Sequence, residues 1–213
     1  LSYKYQGVKN LMPVTINGNG SITGLSVGGL GSGVVNTATL ADGAATGVKQ
    51  GTGSVIQVQS TVLTAAGEYS VATGGVSGDV ITCSITPSSS SNKILVICSL
   101  FCSSPDEGIY GTIYRAGSVV SGAIGDAAGS RQRVSVNTFV YNDNRASELN
   151  KTYLDSPSTT SATTYSIRIG GSKNGTTNYY INRPYQFVDN NRRATGASTC
   201  LLYTSDAADD TCC

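Results

Sequence analysis

From Ser54 onward, apolar and polar residues alternate in a series of short segments, and this alternation limits the folds open to the chain. Val, Ile, Thr and Tyr dominate the segments, and clusters of Gly, Ser and Asn separate them, as in β strands joined by turns. The segments lie at residues 55–62, 80–85, 93–101, 108–114, 119–120, 131–141, 149–154, 163–169 and 179–182. About eight short strands without a long helical pattern predict an all-β fold, a jelly-roll-like antiparallel β-sandwich.

Residues 93–101 (KILVICSLF) form the most apolar of these segments. A near-continuous apolar run bounded by turns is typical of a central strand buried on both faces. An immunoglobulin-type sandwich is the alternative architecture. Its core would contain a Trp beside paired cysteines, and the chain has no Trp.

Residues 1–53 differ from the rest of the chain. Between Pro13 and Gly53 the sequence consists largely of Gly, Ser, Thr, Ala, Asn and Val, with no aromatic residue. Such a segment buries too little apolar surface to offset its chain entropy. We therefore predict an extended Gly-rich shaft, ordered by neighbouring copies of itself, followed by a head domain at residues 54–199. A flexible linker is the alternative for residues 39–49.

Residues 200–213 form a third segment. Its first ten residues (CLLYTSDAAD) resemble the conceptual translation of a transposon-based sequencing adapter, so we predict a non-native tail and exclude it from the fold. A genuine acidic tail is the alternative. Outside this segment the cysteines are Cys83, Cys98 and Cys102. We expect free, half-buried thiols there, with a Cys83–Cys98 bridge as the alternative.

The composition favours binding or support over catalysis. The chain has 14 Lys and Arg against 13 Asp and Glu, a net charge of +1, so it carries no basic field for nucleic acid. It has no His, the commonest general base and metal ligand. We therefore expect no enzyme activity, no catalytic residues, no metal site and no cofactor. No apolar run is long enough for a membrane helix, so we expect no membrane insertion.

Two regions together resemble phage tail-fibre or virion-appendage proteins of the type common in marine viral sequences. Residues 19–30 (NGSITGLSVGGL) and 40–44 (LADGA) resemble their thin shaft. Residues 84–96 (SITPSSSSNKILV), 180–183 (YINR) and 197–199 (AST) resemble their distal β domain. In that family the final Ala-Ser-Thr leads into an apolar closing strand. If the tail is foreign, the head therefore lacks that strand and one sheet edge is open.

The resemblance implies a homotrimer located in the virion after assembly in the host cytoplasm. Its N-terminal segment would attach to tail or baseplate proteins, and its head would recognise a host-surface glycan or outer-membrane protein. Trimerisation is also expected from the shaft, because identical chains can share a core that one chain cannot form.

Two loop regions contain the residue types that hold sugars, namely Tyr for ring stacking and Asn, Asp and Arg for hydrogen bonds. The predicted binding residues are Tyr141, Asn142, Asp143, Arg145, Asn174, Asn178, Tyr179 and Tyr180. For Tyr179 and Tyr180 the alternative is an ordinary strand position, with one of them facing inward.

Two other functions are compatible with the sequence. One is a non-binding decoration or neck protein of the virion. The other is a polysaccharide depolymerase, which would place two acids across a glycosidic bond. The candidate acids are Asp106, Glu107, Asp126, Asp143, Glu148, Asp155 and Asp189.

Overall fold

The structure is a computed structural model that describes residues 15–16, 22–23, 54–105, 108–140, 145–171, 174–186 and 194–205. The chain divides into two units, Leu1–Lys49 and Gln50–Cys213. In the first unit, β1 (Thr15–Ile16) and β2 (Ile22–Thr23) pair antiparallel. The remainder of the predicted shaft lies outside the described residues.

The described part of the second unit consists of strands joined by turns, with a short 3₁₀ segment at Ser121–Ala123. Its strands are β3 (Val55–Leu63), β4 (Gly67–Val71), β5 (Ile81–Ile85), β6 (Lys93–Ser103), β7 (Gly108–Arg115), β8 (Ser118–Val119), β9 (Val136–Phe139), β10 (Ser147–Asp155), β11 (Thr163–Gly171), β12 (Thr177–Ile181) and β13 (Ser198–Ser205). The expected strands are present, and β4 and β13 are additional to them. The strand predicted over residues 131–141 begins later, at Val136.

Eight of these strands form four nested antiparallel pairs. The first strand pairs with the last (β3 with β13), and the second with the seventh (β5 with β11). The third pairs with the sixth (β6 with β10), and the fourth with the fifth (β7 with β9). This is the pairing of one long hairpin rolled up on itself, which is a jelly roll. The predicted fold is therefore confirmed, and the immunoglobulin-type alternative does not apply.

Two further pairings assemble the hairpin pairs into sheets. β13 also pairs with β6, which gives the order β3-β13-β6-β10, and β11 also pairs with β7, which gives β5-β11-β7-β9. β12 pairs with the C-terminal end of β6 on one side and with β4 on the other. β8 pairs with the C-terminal end of β7. The result is a six-stranded and a five-stranded sheet, with the apolar core between them.

The closing strand differs from the expectation. β13 runs from Ser198 to Ser205, so the domain boundary predicted after residue 199 falls inside a strand. Cys200 and Leu202 are fully buried, and the strand lies between β3 and β6. The head therefore extends to at least Ser205, and the position of the expected open edge is filled. The physical reason is that CLLYTS alternates inward and outward as a strand must. The adapter-like origin of this segment stays a prediction.

The predicted two-sided burial of residues 93–101 is found on one face only. β6 is central in its sheet, and Ile94, Val96, Cys98 and Leu100 point into the core. The alternate residues of the strand are only half-buried, because among the described residues no layer covers the outer face of this sheet.

The cysteines of the head are free thiols. Cys83, Cys98, Cys102 and Cys200 are all buried, and the considered Cys83–Cys98 bridge is not formed. The Sγ atoms of Cys98 and Cys200 lie 3.3 Å apart on directly opposed positions of β6 and β13.

Asn182 is fully buried just after β12, and its side chain connects the end of β3 to the start of β13 by hydrogen bonds. Its Nδ2 donates to the carbonyls of Leu63 and Ala65 at 2.8 and 3.0 Å. Its Oδ1 accepts a hydrogen bond from Ser198 Oγ at 2.7 Å. It has a left-handed backbone (φ 61°), a conformation that Asn tolerates better than most residues.

A second buried group connects the two sheets. Asp155, at the end of β10 and 5% exposed, accepts hydrogen bonds from Tyr165 Oη and from an Arg115 guanidinium nitrogen, both at 2.6 Å. Burial and the hydrogen bond to Asp155 raise the pKa of Tyr165, so its hydroxyl stays protonated as a donor.

Candidate ligand-binding site

An open cleft of about 600 Å³ lies on the outer face of the five-stranded sheet, and we call it the end cleft. Pockets of this size accommodate small organic ligands. Its lining residues are Thr73, Gly74, Tyr110, Ser130, Arg131, Gln132, Val134, Asn137 and Gly171.

The strand register builds the floor of the end cleft. Tyr110 of β7 and Asn137 of β9 are directly opposed partners, so their side chains emerge side by side from the same face of the sheet. On the other flank, Gly170 of β11 is opposite Tyr110. Its lack of a side chain leaves room for the Gly75 carbonyl, which would be 2.7 Å from a Cβ at this position.

Two loops form the walls. The loop between β4 and β5 turns at Gly74, whose left-handed backbone (φ 71°) suits glycine. Across the cleft, Gln132 Nε2 would be only 3.3 Å from a Cβ at Gly74, so the walls approach closely here. The Thr73 Oγ1 donates a hydrogen bond to the carbonyl of Gly175 at 3.1 Å. This bond attaches the first wall, the loop between β4 and β5, to the loop between β11 and β12.

The second wall is the loop at residues 130–134, which the next residue attaches to the sheet. Ser135, which follows it, donates its N–H to the Gly111 carbonyl at 3.0 Å and accepts the Ile113 N–H on its hydroxyl at 3.1 Å. Arg133 Nε donates to the carbonyl of Gly125 at 2.7 Å. Arg133 is engaged in this hydrogen bond and does not line the cleft, whereas the neighbouring Arg131 does.

Arg131 provides the only formal charge among the described residues that line the end cleft. Other arginines of the head are paired with carboxylates: Arg115 with Asp155 at 2.6 Å, Arg168 with Asp79 at 2.7 Å and Arg183 with Glu68 at 3.0 Å. The end cleft therefore combines one aromatic ring, several neutral hydrogen-bonding groups and one positive charge.

The binding residues predicted from the sequence that the structure describes lie in different surroundings. Tyr141, Asn142 and Asp143 lie outside the described residues, and Arg145 is exposed beyond them. Asn174 is exposed next to Gly175, which contacts the wall residue Thr73 of the end cleft. Asn174 is not among the lining residues.

Asn178, Tyr179 and Tyr180 have other surroundings. Tyr179 lies in the core at 1% exposure, which is the inward-facing strand position considered as the alternative. Its ring is therefore not available to a ligand. Asn178 Nδ2 donates to Glu68 at 2.6 Å. Tyr180 is 7% exposed, with the Arg183 guanidinium 4.2 Å from its ring centre.

The end cleft was missed because four separate parts of the chain contribute to it, at residues 73–74, 110, 130–137 and 171. Among these parts, only Arg131-Gln132-Arg133 could have been recognised from the sequence as a candidate loop, because it is polar and precedes an alternating run. It was assigned to a strand, whereas in the structure residues 131–134 form a loop.

A second surface of the head is apolar. Val58, Tyr203, Leu95 and Leu154 lie in register across β3, β13, β6 and β10 on the outer face of the six-stranded sheet. We call this row the apolar band. Val58 and Leu154 are each 50% exposed. A hollow of about 350 Å³ runs along it, lined also by Val55, Ile97 and Ser205.

The candidate acids do not come together among the described residues. Asp155 is held in the buried group with Arg115 and Tyr165. Asp126 and Glu148 are exposed, and the other four lie outside the described residues. In the described part of the chain, no three His, Cys, Asp or Glu residues are grouped so as to hold a metal ion. Nor does that part contain a helix with the length and apolar character needed to cross a membrane.

No protein-family model and no curated protein matches the chain. One matching solved structure is that of infectious bursal disease virus Gx strain, with 14% sequence identity and a TM-score of 0.31. The match covers 73% of this chain and 39% of that chain. The jelly roll follows from the nested strand pairing of the head.

Proposed function

We propose that the chain is a structural protein of a virion appendage of the tail-fibre type, which assembles as a homotrimer. The apolar band is the observation that carries the assembly. A sheet face with a row of apolar side chains across four strands is typical of a surface that a partner covers. The strand at its centre, β6, has the sequence of a strand buried on both faces, yet the described residues cover only one of its faces.

The proposed partner is a second copy of the chain. The band has no formal charge, so it lacks the charge pattern that selects a different partner. The Gly-rich shaft also requires identical neighbours to bury a core. Closed rotational symmetry serves both segments, because each copy then meets the same environment. Attachment to tail or baseplate proteins through the N-terminal segment, and location in the virion, belong to the same proposal and rest on the resemblance of the shaft.

Light scattering on the full chain tests the assembly. We expect the mass of a trimer for the unchanged protein and a monomer for Val58→Lys, which places a charge in the apolar band. Val62→Lys is the matched control. Val62 lies on the same face of β3 and is 59% exposed, but it is aligned with the polar residues Thr199 and Ser99. A monomeric unchanged protein, or equal behaviour of the two variants, would refute the assembly.

Recognition of a host-surface ligand is the second part of the proposal, and the end cleft supports it. Tyr110 offers a flat ring for the C–H face of a sugar, while Asn137 and Gln132 offer hydrogen bonds to hydroxyl groups. A non-binding decoration protein is the rival. Fluorescently labelled trimer should stain host cells, and Asn137→Ala should reduce the staining. Absent staining would favour decoration, and equal staining in the variant would refute recognition by the end cleft.

We propose no catalytic role. The remaining rival, a polysaccharide depolymerase, predicts release of oligosaccharides from host capsule and loss of that release in the double variant Asp106→Asn with Glu107→Gln. Incubating purified trimer with capsule and assaying reducing ends decides between the two. The neighbouring reading frames on the same DNA provide an independent check, because tail or baseplate genes favour the fibre and capsid genes favour decoration.

A further inference from the structure

We infer that the end cleft selects an acidic saccharide and that Arg131 pairs with its carboxylate. This inference rests on the recognition role proposed above and adds the chemical class of the ligand.

The charge inside the end cleft is the first step. Arg131 is exposed and lines the cleft, and no described carboxylate shares the lining with it. Within the described residues no ion pair of Arg131 is present, in contrast to Arg115, Arg168 and Arg183. A guanidinium presents a planar fork of donors that fits a carboxylate with two parallel hydrogen bonds. A ligand anion would therefore meet a positive wall without a competing acid.

The neutral lining residues indicate that the rest of the ligand is a sugar. Tyr110 forms part of the floor, and its partner Asn137 emerges beside it. Gln132 and Ser130 on the second wall can hydrogen-bond hydroxyl groups of the ligand. A volume of about 600 Å³ is in the range of sites for small organic ligands and accommodates a short oligosaccharide.

Other anions fit the end cleft less well. A nucleic acid requires several cations along a groove, and the chain as a whole has a net charge of only +1. An acidic peptide would use apolar anchors as well, whereas Val134 is the only aliphatic side chain among the described lining residues. One cation beside a ring and neutral hydrogen-bonding groups is the arrangement expected for a uronic or sialic acid unit.

Isothermal titration of the full chain tests the inference. The probes are short oligosaccharides of galacturonic, glucuronic and N-acetylneuraminic acid, each compared with its own methyl ester. The ester has nearly the same shape but no charge. We expect at least one acid to bind more tightly than its ester, on the order of tenfold, the effect of one charged hydrogen-bonded pair.

The variant Arg131→Gln should remove this preference and bring the acid to the affinity of the ester. Arg133→Gln is the matched control, because it removes the same charge from the same loop but the residue does not line the cleft. Asn137→Ala should weaken acid and ester alike. Equal unfolding temperatures of the three variants would exclude misfolding as the cause.

The outcomes separate the inference from the function on which it rests. Equal binding of acid and ester, or equal losses in Arg131→Gln and Arg133→Gln, would overturn the acidic selectivity and leave recognition standing. Failure of every probe to bind would overturn the inference. If trimer that binds no probe still stains host cells and Asn137→Ala reduces that staining, recognition by the cleft survives with a different ligand class.

Discussion

Replacing Asn182 with Ala should destabilise the head more than any surface change, because this side chain satisfies three groups at once. The change removes the two donors to the carbonyls of Leu63 and Ala65 and the acceptor for the Ser198 hydroxyl. It also places a residue with a Cβ, and without the local hydrogen bonds of Asn, at a left-handed φ of 61°.

The size of the effect follows from these contacts. Each group left without a partner in a buried site costs about 1–3 kcal/mol, and a left-handed Ala costs about 1–2 kcal/mol more. Water can reach some of the freed groups, so the low end of this range applies, and we expect a loss of about 4 kcal/mol. A domain of this size has about 5–15 kcal/mol of stability. The melting temperature should then fall by about 8–16 °C.

Urea unfolding followed by circular dichroism measures this loss, with all variants at one protein concentration because assembly adds to the apparent stability. Asn182→Gly should be about 1 kcal/mol milder than Asn182→Ala, since Gly adopts the left-handed backbone without strain. Asn150→Ala is the control, because its Nδ2 only contacts the exposed Glu148 on the same strand. A loss of unfolding free energy below about 1 kcal/mol in Asn182→Ala would refute the conclusion that the hydrogen bonds of this side chain stabilise the sheet.

Three further outcomes can be checked. Thr204→Val should stabilise the head by about 1 kcal/mol in urea unfolding, because the Thr204 hydroxyl is buried without a hydrogen-bond partner, whereas the outward-facing Thr199→Val should have little effect. Hydrogen bonds from Arg168 and Ser166 lower the pKa of Asp79 from its ordinary 3.8, so Asp79→Asn should lower the melting temperature at neutral pH, and the difference should vanish as the pH falls well below 3.8. Burial raises the pKa of Cys102 to about 12, which leaves about one thiolate in ten thousand at pH 8, so iodoacetamide should label it only after unfolding; rapid labelling of the folded protein would contradict its burial.

The sequence predicted the architecture because period-two alternation needs no knowledge of partners. The segments at 55–62, 93–101 and 163–169 all became strands within two residues of their expected ends. β4 was missed because Gly67-Glu68-Tyr69-Ser70-Val71 has few apolar residues, and its strand form depends on pairing with β12. Local pattern cannot reveal a strand that is stabilised mainly by its neighbour.

The binding site was much less predictable. The candidate loops were chosen for composition, which places Tyr179 and Tyr180 in a site although the fold buries both. The end cleft depends on the register that sets Tyr110 beside Asn137 and on two loops distant in sequence. A single sequence contains neither the register nor the approach of the loops, so it could suggest sugar-binding chemistry without locating it.

The main requirement that this jelly roll places on its last strand is an alternation of inward-facing and outward-facing residues. β13 fits because Cys200 and Leu202 face the core while Leu201 and Tyr203 face outward, and any segment with that alternation would pair with β3 and β6. The misfit is Thr204, whose inward hydroxyl has no partner at a position where an apolar residue would be ordinary. A foreign segment would meet the alternation by chance and fail in such details. If replacing residues 200–205 with an apolar alternating strand raises stability by more than Thr204→Val alone, the adapter-like origin gains support; if the present segment is already the most stable, the genuine-tail alternative does.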